Sequence, residues 1–537
     1  MISKSSTYIL LLMVVMMIAT AQDESEKCGT FRVVQELTQR KLQQSKLLIV
    51  PRPILQTSIL TKNGKIRIHF DTTGINQPAM VTVSVVNGSK VVSRVPNSYR
   101  QWIDTLATIL DSVWRTEIDH FEFTAPPTDA LRGGGDEYDF YVIELGGGLF
   151  GVTNIESDLP VGPVKTNQQY ATFINIDNDF GSGYRTNGIE AVMATSAHEF
   201  HHAIQVGGSG LWEVEQFYFY ELCAEALENT VFRDAKDYLF DVKTYFSNIS
   251  TMSLFQLSDG TISHAGYERA IWGMFLMKKY GPAIMKDIWN QVKTNRPITA
   301  LNISLNVAGT SVQREFSDFL YWNYFTSHRA DSVRYYTDAK AFPPVSVYQT
   351  VIVNAAQQSV QLNTRSFIPY YIKATTVTDS VFFIIANMNF NDAVNNAQQS
   401  FPAELRVTTT SGGDYTSVAA NIFAKFFATD IENWSYKPIG TVSPTTCFPN
   451  PMNPSASSLL ISLNGIGAGD NVTLTIISAV SLDLVFSKHA EYTLFSGIKY
   501  AEWNGRDQQG HIVPSGVYLY ILSNGSNIVK GKFAVIR

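Results

Sequence analysis

The chain has 537 residues, 45% of them hydrophobic and 16% charged, enough apolar surface for large cores and incompatible with wholesale disorder. The formal net charge is −6 with a pI near 5.9, which excludes a protein built chiefly to hold the nucleic-acid phosphate backbone, so no nucleic-acid partner is expected. Three cysteines cannot staple a chain of this length, and roughly 150 residues per domain predicts three or four domains resting on ordinary cores.

Residues 1–21 read as a secretory signal peptide: Lys4 supplies the positive start, residues 9–19 are apolar, and Ala19-Thr20-Ala21 has the small-x-small form of a cleavage site. The alternative, an N-terminal membrane anchor, has a run short for about 30 Å of hydrocarbon. Glu24-Ser25-Glu26-Lys27 ahead of Cys28 is not the setting of a lipoprotein acylation site. No later stretch reaches 18 consecutive apolar residues, so no transmembrane segment is expected in the mature chain.

Three domains are predicted beyond that point, at 22–341, 342–443 and 444–537. In the first, residues 22–60 read as an N-terminal arm or pro-segment, with helical spacing over 29–49. Ile66-Arg67-Ile68-His69-Phe70 alternates as a strand, and 80–86, 138–145 and 171–176 are further strands. Residues 99–114 place Trp102, Ile103, Leu106, Ile109, Leu110 and Val113 on one helical face. Helices are expected at 189–206, 211–232, 264–293 and 312–329. Sheet first and helices second predicts an α+β domain. Phe342-Pro343-Pro344 reads as a linker into an all-β module rich in Val, Thr, Ile and Phe. Short strands separated by Gly and Asn turns resume near Pro444.

The chemistry lies at 198–228. His198-Glu199-Phe200-His201-His202 contains H-E-x-x-H. On a helix His198 and His202 stand one turn apart on one face, where two neutral imidazoles can bind one Zn²⁺. Glu199 beside them is placed to take a proton from water activated by the metal. A catalytic zinc needs a third protein ligand and an open position. Glu221 follows His202 after the eighteen residues 203–220, on the next predicted helix. Glu225, one turn further, is placed to accept the other N–H of a ligand imidazole. Against this stand a structural zinc site and a polar cluster without metal. His201 is expected to pack or to support a ligand, and Cys223 to be a small buried apolar residue. Asp177-Asn178-Asp179 offers oxygens suited to Ca²⁺ without a full loop pattern.

H-E-x-x-H, eighteen residues and Glu resembles the gluzincin metallopeptidases, the thermolysin-like and aminopeptidase-N-like superfamily. Ala197–Gln205 as Ala-His-Glu-Phe-His-His-Ala-Ile-Gln, followed by Glu221-x-x-Ala224-x-x-x-Glu228, is similar to a group of secreted bacterial metalloproteases over about residues 28–330. That similarity includes Cys28-Gly29-Thr30, Arg67-Ile68-His69-Phe70 and Gly134-Gly135-Asp136-x-Tyr138-Asp139. The resemblance implies a gluzincin-type domain with His198, His202 and Glu221 as zinc ligands and Glu199 as general base. Tyr220 and Glu225 stand where the thermolysin motif has Asn and Asp, and Leu222 where the aminopeptidase motif has Gly. Neither subfamily's substrate rules therefore carry over. Gluzincins supply a Tyr or His to the oxyanion, which points to Tyr267, with His264 second. The superfamily also binds extended peptide along an edge strand, a role open here to 172–176 beside that of an ordinary core strand.

Residues 444–537 resemble the Ig-like C-terminal sorting domain of type IX secretion cargo and the related domain of flagellar hook-capping proteins. The resemblance is carried by Phe448-Pro449-Asn450-Pro451-Met452-Asn453-Pro454 and Trp503-Asn504-Gly505-Arg506-Asp507-x-x-Gly510. It implies passage across the outer membrane of a Bacteroidetes-like bacterium through the secretion machinery, then release or surface attachment. The expectation is thus a secreted or cell-surface zinc endopeptidase acting on extracellular protein or peptide. Its rival is a non-enzymatic adhesin or binding protein with a structural or degenerate metal site.

Overall fold

The computed structural model describes residues 27–43, 50–163, 165–255, 266–352, 357–375, 380–388, 390, 400–408, 412–417, 422–428, 447–455, 457–463, 471–479, 483–495, 498–524 and 528–537. Residues 1–21, read above as a signal peptide, and His264 lie outside them. No helix among the described residues is long and apolar enough to cross a membrane. The chain divides into two units, one running to Val214 and adding Leu227–Asp237, the other made of Glu215–Ala226 and Tyr238–Arg537.

The first unit is α+β. Helix α1 is Thr30–Leu42; strands β1 (Thr57–Leu60) and β2 (Ile66–Phe70) precede a hairpin of β3 (Val81–Val86) and β4 (Ser89–Arg94). Helix α2 (Tyr99–Trp114) leads to β5 (Tyr138–Ile143), β6 (Gly151–Val161), β7 (Gln169–Asp177) and helix α3 (Gly188–Ile204). All six apolar positions predicted on α2 are buried, as the helical spacing requires. The five-stranded sheet has the order β1-β2-β5-β7-β6. β2, β5 and β7 are parallel, while β1 and β6 run antiparallel to their neighbours.

This order decides one open question. Strand β7, which contains 172–176, pairs with β5 on one side and β6 on the other. Its backbone groups are spent within the sheet, so it is a core strand, and the edge on that side is β6. β6 is hard to read from sequence because Thr153, Asn154, Glu156 and Ser157 are all buried, which erases the alternation that marks a half-exposed strand.

In the second unit, helix α4 (Phe217–Val231), which runs unbroken through the division, and α5 (Leu239–Ser247) are followed by α6 (Ala270–Tyr280), α7 (Ala283–Val292), α8 (Pro297–Val307) and α9 (Val312–Tyr324). The helical stretch predicted over 264–293 breaks in two at Gly281, whose φ of +81° favours glycine. Phe342-Pro343-Pro344 is not a free tether. Phe342 is buried against Tyr238, Phe246 and Tyr336, and Thr326 Oγ1 donates to the Pro343 carbonyl at 2.7 Å.

The all-β regions follow as predicted. Strands Gln349–Ile352, Pro369–Thr375, Ser380–Asn387 and Ile422–Ala428 form one sheet; Gln357–Arg365, Ser400–Thr408 and Gly412–Ser417 form another. Residues 447–535 form two four-stranded sheets over a core containing Leu459, Ile461, Leu474, Ile476, Trp503, Tyr520 and Phe533. Gly505 takes φ +74° at the Asn-Gly turn, where a Cβ would stand 2.5 Å from Pro454 Cβ.

Candidate metal centre

Helix α3 begins where the Asn-Gly signal predicts. Asn187 is extended (φ −125°, ψ 154°), and Gly188 turns the chain at φ +59°. The helix does not stop at Gly207-Gly208. Beyond Ile204 it widens into a π-helical turn, Gln205–Ser209, left through Gly210 at φ +92°. A Cβ on Gly210 would meet the Asn167 carbonyl at 2.2 Å, so glycine is required there. Gln205, in helical geometry three residues after His202, stays beside that ring.

His198 and His202 stand together, their ring centroids 4.8 Å apart and their planes at 84°. His198 Nδ1 lies 2.9 Å from Glu228 Oε1, and His202 Nδ1 lies 2.7 Å from Gln205 Oε1. Both Nδ1 atoms face acceptor oxygens and so carry the protons. In that tautomer each Nε2 carries a lone pair. The two Nε2 atoms face one another at 3.1 Å. Two lone pairs at that range repel unless a cation shares them, so the pair suits a metal and the oxygens behind the rings fix the tautomer.

Within the first unit Cys28, His198 and His202 are all buried, and each offers one donor atom within 4.8 Å of the others. Thiolate and imidazole are soft and borderline donors, the kind that transition metals take in preference to Ca²⁺ or Mg²⁺. Glu221 is fixed relative to Glu228 by seven residues of continuous helix α4, two turns along one face.

Glu199 is buried with the pair. Its Oε2 accepts from Thr153 Oγ1 at 2.7 Å and from Thr30 Oγ1 at 3.0 Å. Gly151 on β6 lies directly beneath it: a Cβ there would be 2.7 Å from Glu199 Cγ and 2.8 Å from Thr195 Cγ2.

The third histidine of the motif has separate work. His201 Nδ1 is 2.9 Å from Glu117 Oε2, and its ring meets Phe123 edge-on at 5.0 Å. Burial pushes the Glu117 carboxyl well up and the His201 imidazole well down, the latter helped by His202 and His198. Both shifts favour the uncharged forms, and His201 packs.

The acceptor on His198 is Glu228. Glu225, expected in that role, stands one turn before Glu228 on α4. Glu228 also takes the ammonium of Lys27, which lies 2.8 Å from Asp237 Oδ2. Arg185 Nη2 reaches the same Asp237 oxygen at 2.7 Å. Two cations and two carboxylates thus balance behind His198. Tyr267 is buried and opens a single 3₁₀ turn, Tyr267–Arg269, leading into α6. In Asp177-Asn178-Asp179, Asp177 accepts the amides of Leu145, Asp179 and Phe180, and Asp179 pairs with Arg94 at 2.8 Å.

Sequence reasoning missed Cys28, Thr30, Thr153, Gln205 and Glu228 as parts of this centre. Gln205 and Glu228 carried a signal, since both lie at helical spacings from the motif and the ligand Glu. Cys28 and Thr30 stood among the residues of the resemblance with no role assigned, and Thr153, on β6, left no signal.

No family model matches the chain, and no curated protein matches it. Among solved structures the chain is similar to PorZ, described as an essential bacterial surface component of the type IX secretion system of Porphyromonas gingivalis, at 12% identity and a TM-score of 0.14. The match covers 33% of this chain and 37% of that one, too partial a likeness to define a fold.

Proposed function

We propose that the chain is a secreted zinc-dependent peptidase acting on extracellular protein or peptide, carried across the outer membrane by its C-terminal β-sandwich. The observation that carries the reading is the facing Nε2 pair of His198 and His202 beside the buried carboxylate of Glu199. A structural zinc has no use for that carboxylate.

Zinc bound there supplies Lewis acidity to the scissile carbonyl and to water. The chain's residues do the rest. Glu228 and Gln205 hold the rings so that both Nε2 lone pairs converge, and Glu221 adds the carboxylate. Glu199 removes the proton of the attacking water. Its Oε2 is engaged by two hydroxyls, which assigns the proton to Oε1. The outer edge of β6 is the place where an extended substrate would add to the sheet, and Tyr267 is assigned to the oxyanion.

Zinc analysis with peptide-library digestion tests the reading: one zinc per chain and chelator-sensitive cleavage are expected. The fourth donor, Cys28, favours a second reading, a binding protein whose closed metal site is structural. Zinc without cleavage in the wild type and in Cys28→Ser alike, unaffected by Glu199→Ala, would establish that alternative.

Two smaller results follow. Gly151→Ala should push Glu199 aside and lower cleavage on the order of a hundredfold, the cost of a displacement near 1 Å, with zinc content unchanged. Tyr267→Phe should lower turnover by about a hundredfold or more with zinc retained, and unchanged turnover removes Tyr267 from the chemistry.

A further inference from the structure

We propose that Cys28 is the fourth protein ligand of this metal, and that residues 27–42 occupy the substrate position as a built-in plug. The inference rests on the metal-centre reading above and goes beyond it. It is carried by the first unit alone, where the Cys28 sulfur groups with the donors of His198 and His202 inside 4.8 Å.

The cysteine does not stand by itself. Lys27, Cys28 and Gly29 lie along the outer edge of β6 and bond to its start. Gly29 N donates to the Gly151 carbonyl at 2.9 Å, Phe150 N donates to the Lys27 carbonyl at 2.8 Å, and Cys28 bridges Gly151 in parallel. This is strand addition, the mode by which an extended substrate would bind. The edge that a substrate needs is therefore already taken.

The neighbours close the remaining chemistry. Thr30 Oγ1 donates to Glu199 Oε2 and accepts from Thr153 N at 2.8 Å. Lys27 anchors the segment through Glu228 and Asp237, behind His198. Gly29 has no room for a side chain, since a Cβ would stand 2.6 Å from Val152 Cγ2. One tetrapeptide, Lys27-Cys28-Gly29-Thr30, thus reaches the metal donors, the general base, the ligand's support and the substrate edge. Zinc with four protein donors lacks the open position that catalysis needs, so the centre is latent until the segment leaves.

The test uses the full chain loaded with Co²⁺ or Zn²⁺. Wild-type Co²⁺ protein should show a sulfur-to-cobalt charge-transfer band that Cys28→Ser abolishes, and mass mapping should find Cys28 shielded from alkylation until the metal is chelated. Cys28→Ser with zinc should cleave a peptide library on the order of tenfold or more faster than wild type, because a closed state lowers apparent activity by its population. Gly29→Val, which keeps the thiol but crowds Val152, should give the same acceleration and expose Cys28 to alkylation. A charge-transfer band that survives in Cys28→Ser overturns the ligand assignment. A lost band without faster cleavage in either variant overturns the plug. Failure of the peptidase reading is distinct: the wild type would bind no metal, or Cys28→Ser would cleave equally fast with Glu199→Gln added.

Discussion

Replacing Glu199 by Gln should lower peptide cleavage by about 10²–10⁴-fold while leaving zinc content and thermal stability close to wild type. Gln keeps the volume that Gly151 and Thr195 surround and can still accept from Thr30 and Thr153 through its carbonyl. It cannot take a proton from water. The magnitude is that of a lost general base. Measured in the Cys28→Ser background, where the segment no longer masks the centre, the ratio of rates reports Glu199 alone. Equal cleavage by the two proteins would show that this carboxylate is not the base.

The second large effect is on stability. Asp237→Ala should destabilise the chain by about 3–5 kcal/mol, the range for removing one partner of a buried charge set. The Asp237 side chain is fully buried, and Lys27, Arg185 and Thr186 all converge on it. Without it, Lys27 and Arg185 each lose a buried carboxylate partner. The pH dependence has a definite sign. Burial by itself would raise the Asp237 carboxyl, but Lys27 and Arg185 outweigh burial and hold it well below the usual carboxylate range. An acid with a depressed folded pKa contributes stability that is present above its unfolded value, about 3.9, and is lost as pH falls below that toward the folded value. Wild type should therefore lose stability below about pH 4 more steeply than Asp237→Asn in denaturant titrations. A cost below 1 kcal/mol, or parallel acid profiles, would show that the quartet is not an interdependent set.

The parts of this molecule that sequence conveys are those written locally. Helical spacing reveals the buried face of α2, and H-E-x-x-H with its apolar stripe reveals α3. Val- and Phe-rich alternation reveals the β regions, and the Asn-Gly pair reveals the turn at Gly505. What escapes is written in contacts between distant residues. β6 hides because its buried side chains are polar and find their partners on other elements: Thr153 on Glu199, and Glu156 on Arg52 and Arg132. The role of 172–176 depended on which strand fell outside it, a matter of sheet order and not of the strand's own residues. Glu228 meets His198 Nδ1, and helical spacing alone offers Glu225 and Glu228 alike. Cys28 carried no metal motif of its own, since the histidines it groups with stand 170 and 174 residues away (198 − 28 and 202 − 28).

The central claim is that His198, His202 and Glu221 grip one divalent ion. Zinc titration of the Cys28→Ser chain and of the same chain carrying Glu221→Ala or His202→Ala measures it most directly. One equivalent bound by the parent, with affinity falling sharply in both derivatives, is the predicted result. A parent that binds no zinc, or a Glu221→Ala derivative that binds it as tightly as the parent, would contradict the account.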